Sequence, residues 1–73
     1  MHYVYVLQRG ENDYYIGYST DLVRRVKQHA KEHPGYTLSY YEAYKNAVLA
    51  RRRERLLKHY GSAWRGLKKR MAA

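Results

Sequence analysis

The sequence contains no cysteine, and this absence removes two classes of site from consideration. Without thiols the chain has neither disulfide bonds nor a thiolate metal centre. It also lacks an apolar run of membrane-spanning length and a secretory leader. We therefore expect a soluble, cytoplasmic protein with no membrane partner.

Acidic residues are scarce, since 6 Asp and Glu stand against 15 Lys and Arg, for a formal net charge of +9 and a pI near 10.0. Such an excess is typical of nucleic-acid binders, because cations that neutralise phosphates release condensed counterions. A polyanion is the expected partner. A merely solvated surface and an anionic membrane are the alternatives that charge alone leaves open.

Phenylalanine is absent, whereas 10 of the 73 residues are tyrosine. Each tyrosine brings a large ring with a polar tip, which suits a half-wet cleft as well as a core. Most of these rings are expected to be structural, and some are candidates for stacking on bases. The length predicts one small domain over residues 1–73, which buries only about 60% of the surface of its unfolded chain.

The first half of the chain predicts a hairpin followed by a helix. Residues 2–8 and 14–18 show the composition and alternation of strands, joined by a turn at 9–13. A helix beginning near Asp21 is expected to be capped by Ser19 or Thr20 and to end at residues 33–35. Its predicted inward stripe consists of Leu22, Val23, Val26 and Ala30.

The second half predicts one more strand and two helices. Residues 36–44 are rich in β-branched and aromatic side chains, which predicts a strand with Leu38, Tyr40 and Glu42 on one face. Asn46 is the expected cap of the next helix and Gly61 its expected terminator. The inward positions predicted for this helix are Ala47, Ala50, Leu56 and Leu57.

A last helix from Ser62 is expected to dock through Trp64, Leu67 and Met71, and Met71–Ala73 is expected to fray. The order β-β-α-β-α-α predicts an α/β (α+β) fold. Its three-stranded antiparallel or mixed sheet has flanking helices.

Hydrolysis of a phosphodiester needs a positioned water, a proton acceptor and positive charge at the phosphate. Arg25 and His29 lie four residues apart on the first predicted helix, so both side chains can point at one phosphate. An ordinary pair of surface residues is the alternative. His29 and His33 also have the spacing for a transition metal, but Pro34 and the lack of a third ligand argue against it.

Glu54 is the only acidic residue after Glu42, and it lies within a run of arginines. Mg²⁺ is often held by one or two carboxylates together with waters and substrate phosphates, so one glutamate is enough for a substrate-dependent site. Relief of repulsion between the arginines is the alternative. Tyr5 and Tyr15 lie on adjacent predicted strands and can direct their hydroxyls to one side. A tyrosine base needs nearby cations, because its ordinary pKa is about 10.

Several segments together resemble the GIY-YIG nuclease superfamily, most closely its small stand-alone bacterial members. Val4-Tyr5-Val6 stands at the first motif, Tyr15-Ile16-Gly17 is the second, and Arg25 lies at the position of the family's helix arginine. The segment around Glu54 resembles the metal-binding helix, and residues 64–70 resemble the basic tail.

The resemblance implies a metal-dependent DNA endonuclease, in DNA repair or processing. It implies a catalytic pair of Tyr5 and Tyr15, a scissile phosphate held by Arg25, and one Mg²⁺ or Mn²⁺ ion on Glu54. No further small-molecule cofactor is expected. By the same resemblance His29 would be a further catalytic residue, and Gly17 would allow close packing of the phosphate. We expect Gly17, Arg24 and Lys27 to bind the substrate.

The alternative is a catalytically weak or inactive nucleic-acid-binding module with the same fold. It is favoured by the missing asparagine, since many family members have one after the metal-binding glutamate.

Overall fold

Three strands and three helices follow one another in the order expected from the sequence. The computed structural model describes residues 1–72. Its elements are β1 (His2–Arg9), β2 (Asp13–Ser19), α1 (Leu22–Glu32), β3 (Thr37–Tyr44), α2 (Ala47–His59) and α3 (Gly61–Ala72). Met71 and Ala72 are helical, and Ala73, the third residue of the end expected to fray, lies outside the described residues. Over residues 1–72, no helix combines the length and the apolarity needed to cross a membrane.

The sheet is antiparallel throughout, in the order β2-β1-β3. Since β1 is the central strand, its residues are covered on both faces, and Val4, Tyr5, Val6 and Leu7 are all buried. Gly10 has a positive φ of 69° in the turn between β1 and β2, a conformation that glycine adopts without steric cost. Alternate residues of β1 therefore point to opposite faces of the sheet, and both faces are buried at this strand.

The helices lie on opposite faces of the sheet, so that the molecule has three layers. The helices α2 and α3 cover the face of Val4 and Val6, where Ala50, Leu57 and Leu67 complete the buried core. Trp64 and Met71 pack against this core, which confirms the expected docking of α3. The other face, which contains Tyr5 and Tyr15, is covered by α1.

The helix α1 differs from its prediction in its cap and in its inward face. Asp21 is the N-cap, because its carboxylate accepts a hydrogen bond from the backbone N–H of Arg24, so the expectation of Ser19 or Thr20 was wrong. The Ser19 hydroxyl accepts from the Asp21 N–H instead.

Val23 and Ala30, which were expected to face inward, are exposed. His29 is buried in their place, because the sheet surface under α1 consists of tyrosine rings that accommodate a polar ring. Arg25 is half-buried on the same side of the helix.

An irregularity in the pairing of β3 changes the face on which Leu38 lies. Val6 pairs with Tyr40, whereas Leu7 pairs with Leu38, so that β3 has one extra residue between them. Tyr40 and Glu42 therefore share the face covered by α2, as predicted, whereas Leu38 points to the face of α1. The prediction that Leu38 shares their face was wrong, since a bulge reverses the alternation of side chains.

The helix α2 is capped by Asn46, as expected, through a bond from the Val48 N–H to its side chain. Its terminator is not Gly61, because Tyr60 caps α2 and Gly61 already begins α3. Leu56, predicted to face inward, is exposed, and the half-buried residues nearby are Arg53 and Glu54.

A polar cluster between β3 and α2 explains why Arg53 faces inward. The Arg53 guanidinium donates to both carboxylate oxygens of Glu42 at 3.0 and 3.2 Å, and the hydroxyls of Tyr40 and Tyr44 donate to the same carboxylate. Burial raises the pKa of Glu42, but Arg53 and the two hydroxyls outweigh it and leave the pKa below its usual value. This cluster fixes α2 against the sheet and thereby the position of Glu54.

Candidate active site

Tyr5 and Arg25 meet in the layer between the sheet and α1. The Nε of Arg25 donates a hydrogen bond of 3.3 Å to the Tyr5 hydroxyl, and Nη1 donates to the Gln28 side chain at 3.1 Å. The hydroxyl of Tyr5 and, to a smaller extent, that of Tyr15 raise the pKa of Arg25, so its charge is secure. Two bonds from one guanidinium thus hold a cation at a defined place beside both tyrosines.

Gly17 makes this position of Tyr5 possible. The two residues are paired across β1 and β2, and the hydroxyl end of the Tyr5 ring occupies the space that a Cβ atom at Gly17 would need. The Tyr5 side chain, only 1% exposed, therefore reaches across the backbone of β2 towards the edge of the sheet.

Burial is also the largest influence on the hydroxyl of Tyr5 and raises its pKa above the usual value. The hydrogen bond from Arg25 opposes this effect without cancelling it. The phenol is therefore protonated at neutral pH in the protein alone, and it acts there as a hydrogen-bonding group.

Tyr15 lies beside Tyr5 and is more accessible. The ring centroids of the two tyrosines are 6.4 Å apart, and the Tyr15 ring also contacts the imidazole of His29 at 4.6 Å. Tyr15 is half-buried, whereas Tyr5 is buried. Of the two tyrosines, Tyr15 is thus the one that water can reach more readily.

His29 is neutral rather than a second cation. Its side chain is 3% exposed, and burial, followed by repulsion from His33 and Arg25, lowers the pKa below its ordinary value. Its Nε2 atom is buried without a hydrogen-bond partner in the described structure. The imidazole lies on the inward side of α1, so its contact with a phosphate stays a prediction.

The segment after α1 encloses His29. The ring of Tyr36 contacts the His29 imidazole edge-on at 5.1 Å, and its hydroxyl donates to the Asp13 carboxylate. Arg9 pairs with the same carboxylate at 2.8 Å and lies over the Tyr36 ring at 4.6 Å. Residues of the hairpin therefore hold this segment over His29. The segment itself contains few basic residues.

The other two predicted substrate-binding cations lie on the outer side of α1. Arg24 and Lys27 line a shallow groove of about 550 Å³ together with Lys31. Arg24 also shares a smaller recess of about 210 Å³ with Arg25. A basic track thus leads from the outer surface of α1 to the tyrosine pair.

Glu54 lies on α2, the helix that packs on the Val4 and Val6 face of the sheet. Its side chain is 18% exposed and forms an ion pair of 3.1 Å with Lys58, four residues further along the helix. Its carboxylate is also one of the charges that raise the pKa of Tyr5, although burial and the tyrosine neighbour contribute more. The expected pairing of Glu54 with neighbouring arginines is replaced by this single pair with Lys58.

The donor set around Glu54 suits a cation bound mainly by substrate and water. Within residues 1–72, no three His, Asp or Glu side chains come together as a metal site. One half-buried carboxylate is compatible with a hard divalent ion that keeps several waters and completes its coordination with phosphate oxygens.

Tyr5, Tyr15 and Arg25 therefore meet in one layer, whereas Glu54 acts on Tyr5 only electrostatically from α2. Sequence reasoning missed three residues around them. Gln28 orients Arg25, Tyr36 encloses His29, and Lys58 pairs with Glu54. The spacing i, i+3 and i, i+4 gives a sequence signal for Gln28 and Lys58. No local pattern signals Tyr36, because its contact depends on the path of the loop.

Comparisons with known proteins find a matching family profile and several similar sequences. The family profile described as "GIY-YIG catalytic domain" matches residues 1–68. A UPF0213 protein of Halobacterium salinarum is 38% identical over 71 residues, which cover 86% of this chain and 92% of that protein. Another, of Haloquadratum walsbyi, is 36% identical over 67 residues, covering 81% of this chain and 75% of the relative. A third, of Halalkalibacterium halodurans, is 52% identical over 29 residues, covering 40% and 31%. No solved structure matches the chain.

Proposed function

Because the chain belongs to the GIY-YIG family, we propose that it is a metal-dependent endonuclease that hydrolyses a phosphodiester bond of DNA. The family implies nuclease-type activity and generally uses a divalent ion. The observation that carries the proposal is the hydrogen bond from Arg25 to Tyr5, beside Tyr15 and within electrostatic reach of Glu54.

Arg25 binds the scissile phosphate in this proposal. Its planar guanidinium has five N–H donors and favours bidentate contacts with phosphate oxygens. Two donors are engaged by Tyr5 and Gln28, which fixes the plane of the group and leaves other donors for the substrate. A preorganised cation of this kind stabilises the charge that grows on the phosphoryl oxygens in the transition state.

Tyr15 accepts the proton of the attacking water, and Tyr5 keeps Arg25 in place. This division follows from exposure, since the Tyr5 hydroxyl is buried and has a raised pKa whereas Tyr15 is accessible. In this proposal Arg25 supplies the positive charge that a phenol acting as a base needs nearby. The neutral imidazole of His29 supports the Tyr15 ring at 4.6 Å.

Glu54 would hold a single divalent cation, Mg²⁺ or Mn²⁺, together with water and the bound phosphate. When bound, such an ion neutralises charge on the leaving oxygen. Lys58 pairs with one carboxylate oxygen of Glu54 in the protein alone, so the ion competes with Lys58 for the charge of this carboxylate. We expect the ion to bind weakly until DNA supplies further oxygen ligands.

The test is cleavage of supercoiled plasmid and of branched DNA, with Mg²⁺, with Mn²⁺ and with EDTA. Nicking that needs the ion and is lost in Tyr15→Phe would support the proposal. Tyr60→Phe is the matched control, because Tyr60 is exposed at the end of α2.

A second candidate function is a non-catalytic DNA-binding module, favoured by the Glu54–Lys58 pair, because Lys58 occupies the carboxylate that acts on Tyr5. It predicts equal DNA binding by all of these variants and no nicking with either ion.

A further inference from the structure

A cleft opens at the edge of β2, next to the tyrosine pair. It has a volume of about 420 Å³ and lies between β2 and the helices α2 and α3. Its walls include aromatic rings, and its rim includes an amide and an ammonium group. The residues that matter here are Asn12, Tyr14, Tyr15, Lys58 and Trp64.

The aromatic walls suit a flat heteroaromatic ligand. Tyr14 and Trp64 meet edge to face, with their centroids 5.0 Å apart, so the two rings present surfaces at a steep angle to each other. Lys68 lies over the Tyr14 ring at 5.5 Å, so it adds positive charge to this wall and has to move aside where a base stacks on that face of the ring. An aromatic platform flanked by cations is the arrangement with which proteins stack unpaired bases while attracting the phosphates beside them.

The cleft continues the candidate active site. Tyr15 lines the cleft and contacts both Tyr5 and His29. Lys58 lines it from the other side and forms the ion pair with Glu54. Tyr15 is thus shared by the cleft and the candidate active site.

We propose that this cleft binds a nucleobase that has left the stack, next to the phosphate that is cut. The ligand class is an unpaired nucleotide in DNA, with its base against Tyr14 and Trp64 and its amide and carbonyl edge towards Asn12 and Lys58. The inference rests on the proposed nuclease function for the position of the phosphate. It adds a preference for DNA in which one nucleotide is free to unstack, which suits repair or processing.

Binding is measured in EDTA, so that no cleavage is needed. Trp64 is the only tryptophan of the chain, and its fluorescence reports directly on stacking in the cleft. The probes are a short DNA duplex with one unpaired thymidine and the same duplex with an abasic nucleotide at that position. We expect the thymidine to quench Trp64 and to bind about tenfold tighter, within the range of base–aromatic stacking.

Variants distinguish binding of the base in the cleft from general binding of DNA. Tyr14→Leu removes one wall and should abolish the difference between the two duplexes, whereas Tyr14→Phe keeps the ring and should retain it. Tyr41→Leu, at an exposed tyrosine on the other face of the sheet, is the matched control and should also retain it. Thermal melting of each variant verifies the fold.

Equal binding of both duplexes, without quenching of Trp64, would overturn the proposal that the cleft binds a base. Plasmid nicking would still decide the nuclease function. Quenching by the unpaired thymidine together with an absence of nicking would uphold the cleft and overturn the nuclease function.

Discussion

Tyr5 and Gly17 are paired across two strands, and the Tyr5 ring occupies the side-chain space of Gly17. A methyl group at Gly17 cannot coexist with the present position of the ring. The backbone below the ring is rigid sheet, so the ring itself has to move. Because its hydroxyl accepts the hydrogen bond of Arg25, a shift of the ring also displaces the cation.

Gly17→Ala should therefore impair both folding and cleavage. Overpacking of this kind destabilises by about 1–3 kcal/mol, and a misplacement of about 1 Å lowers cleavage about 100-fold. Gly66→Ala is the matched control, since nothing lies within 4 Å of an added Cβ atom there and alanine is favoured in a helix. Urea unfolding and plasmid nicking measure the two effects. Wild-type nicking by Gly17→Ala would contradict the role of this close approach.

Arg25→Lys should retain the charge but lose the planar fork. The lysine cannot bond Tyr5, Gln28 and a phosphate together, so we expect cleavage to fall about 100-fold while DNA affinity changes little. Single-turnover cleavage at saturating DNA measures the rate. Arg52→Lys, an exposed position on α2, serves as the control and should cut at the wild-type rate. A large loss of affinity with an unchanged rate would show that Arg25 only binds DNA.

Glu54→Gln should abolish cleavage that depends on Mg²⁺ and leave DNA binding equal or slightly tighter. The substitution removes the carboxylate and with it a charge that repels phosphate. Stability should change by only about 0.5 kcal/mol, because the pair with the half-exposed Lys58 is worth little. Glu11→Gln makes the same change of charge in the exposed hairpin turn and should cut normally. If Glu54→Gln cuts normally or unfolds, Glu54 is structural.

Burial of His29 should make stability depend on pH. Its pKa is lowered in the folded protein, while the unfolded chain titrates near 6.5. The unfolded state therefore binds the proton first as the pH falls. Stability should be constant above about pH 6.5 and should decrease below it, by up to about 1.4 kcal/mol per pH unit, until the folded-state pKa is passed.

The charged groups that act on His29 are His33 and Arg25, which disfavour its protonation, and Glu32, which favours it. Asp13 and Glu42 have lowered pKa values and act only at more acidic pH. Urea unfolding of His29→Gln should show a much weaker dependence between about pH 5 and 7. His33→Gln, at an exposed position, should retain most of it. An unchanged profile in His29→Gln would contradict the assignment.

DNA affinity should fall steeply with salt between about 50 and 200 mM, by about 0.9 log unit per phosphate contact for each decade of salt. Lys27→Ala should reduce this slope by about one contact, because Lys27 belongs to the basic groove on α1. Lys45, in the turn after β3, is the comparison and should have little effect. Fluorescence anisotropy at several salt concentrations measures the slope. A flat response would contradict electrostatic binding.

The order of elements was predictable from the sequence because alternation, caps and turn residues are local signals. The side on which each residue lies was less predictable. Leu38 changed face through a bulge, which depends on pairing with β1, and Leu56 is exposed because Arg53 takes the inward position to reach Glu42. Neither cause lies within the segment concerned.

The candidate site followed mainly from the resemblance, because spacing alone left every residue with a structural alternative. The shared side of Arg25 and His29 was predictable from helical periodicity. The neutral state of His29 was not, since it results from burial against Tyr15 and Tyr36, which are distant in sequence. The pairing of Glu54 with Lys58 was available from the i, i+4 spacing but was obscured by the surrounding arginines.

Tyr5 serves the core and the candidate site at once, since its ring is 1% exposed. A descendant of this protein that stopped cutting DNA would still need the ring to fold, so it would keep the tyrosine long after its chemistry was lost. Folding does not require Glu54 and Arg25 in the same way, because both side chains are only partly buried. When chains of this fold are sorted into active and inactive ones, the glutamate and the arginine are therefore the informative positions, and the first tyrosine is not.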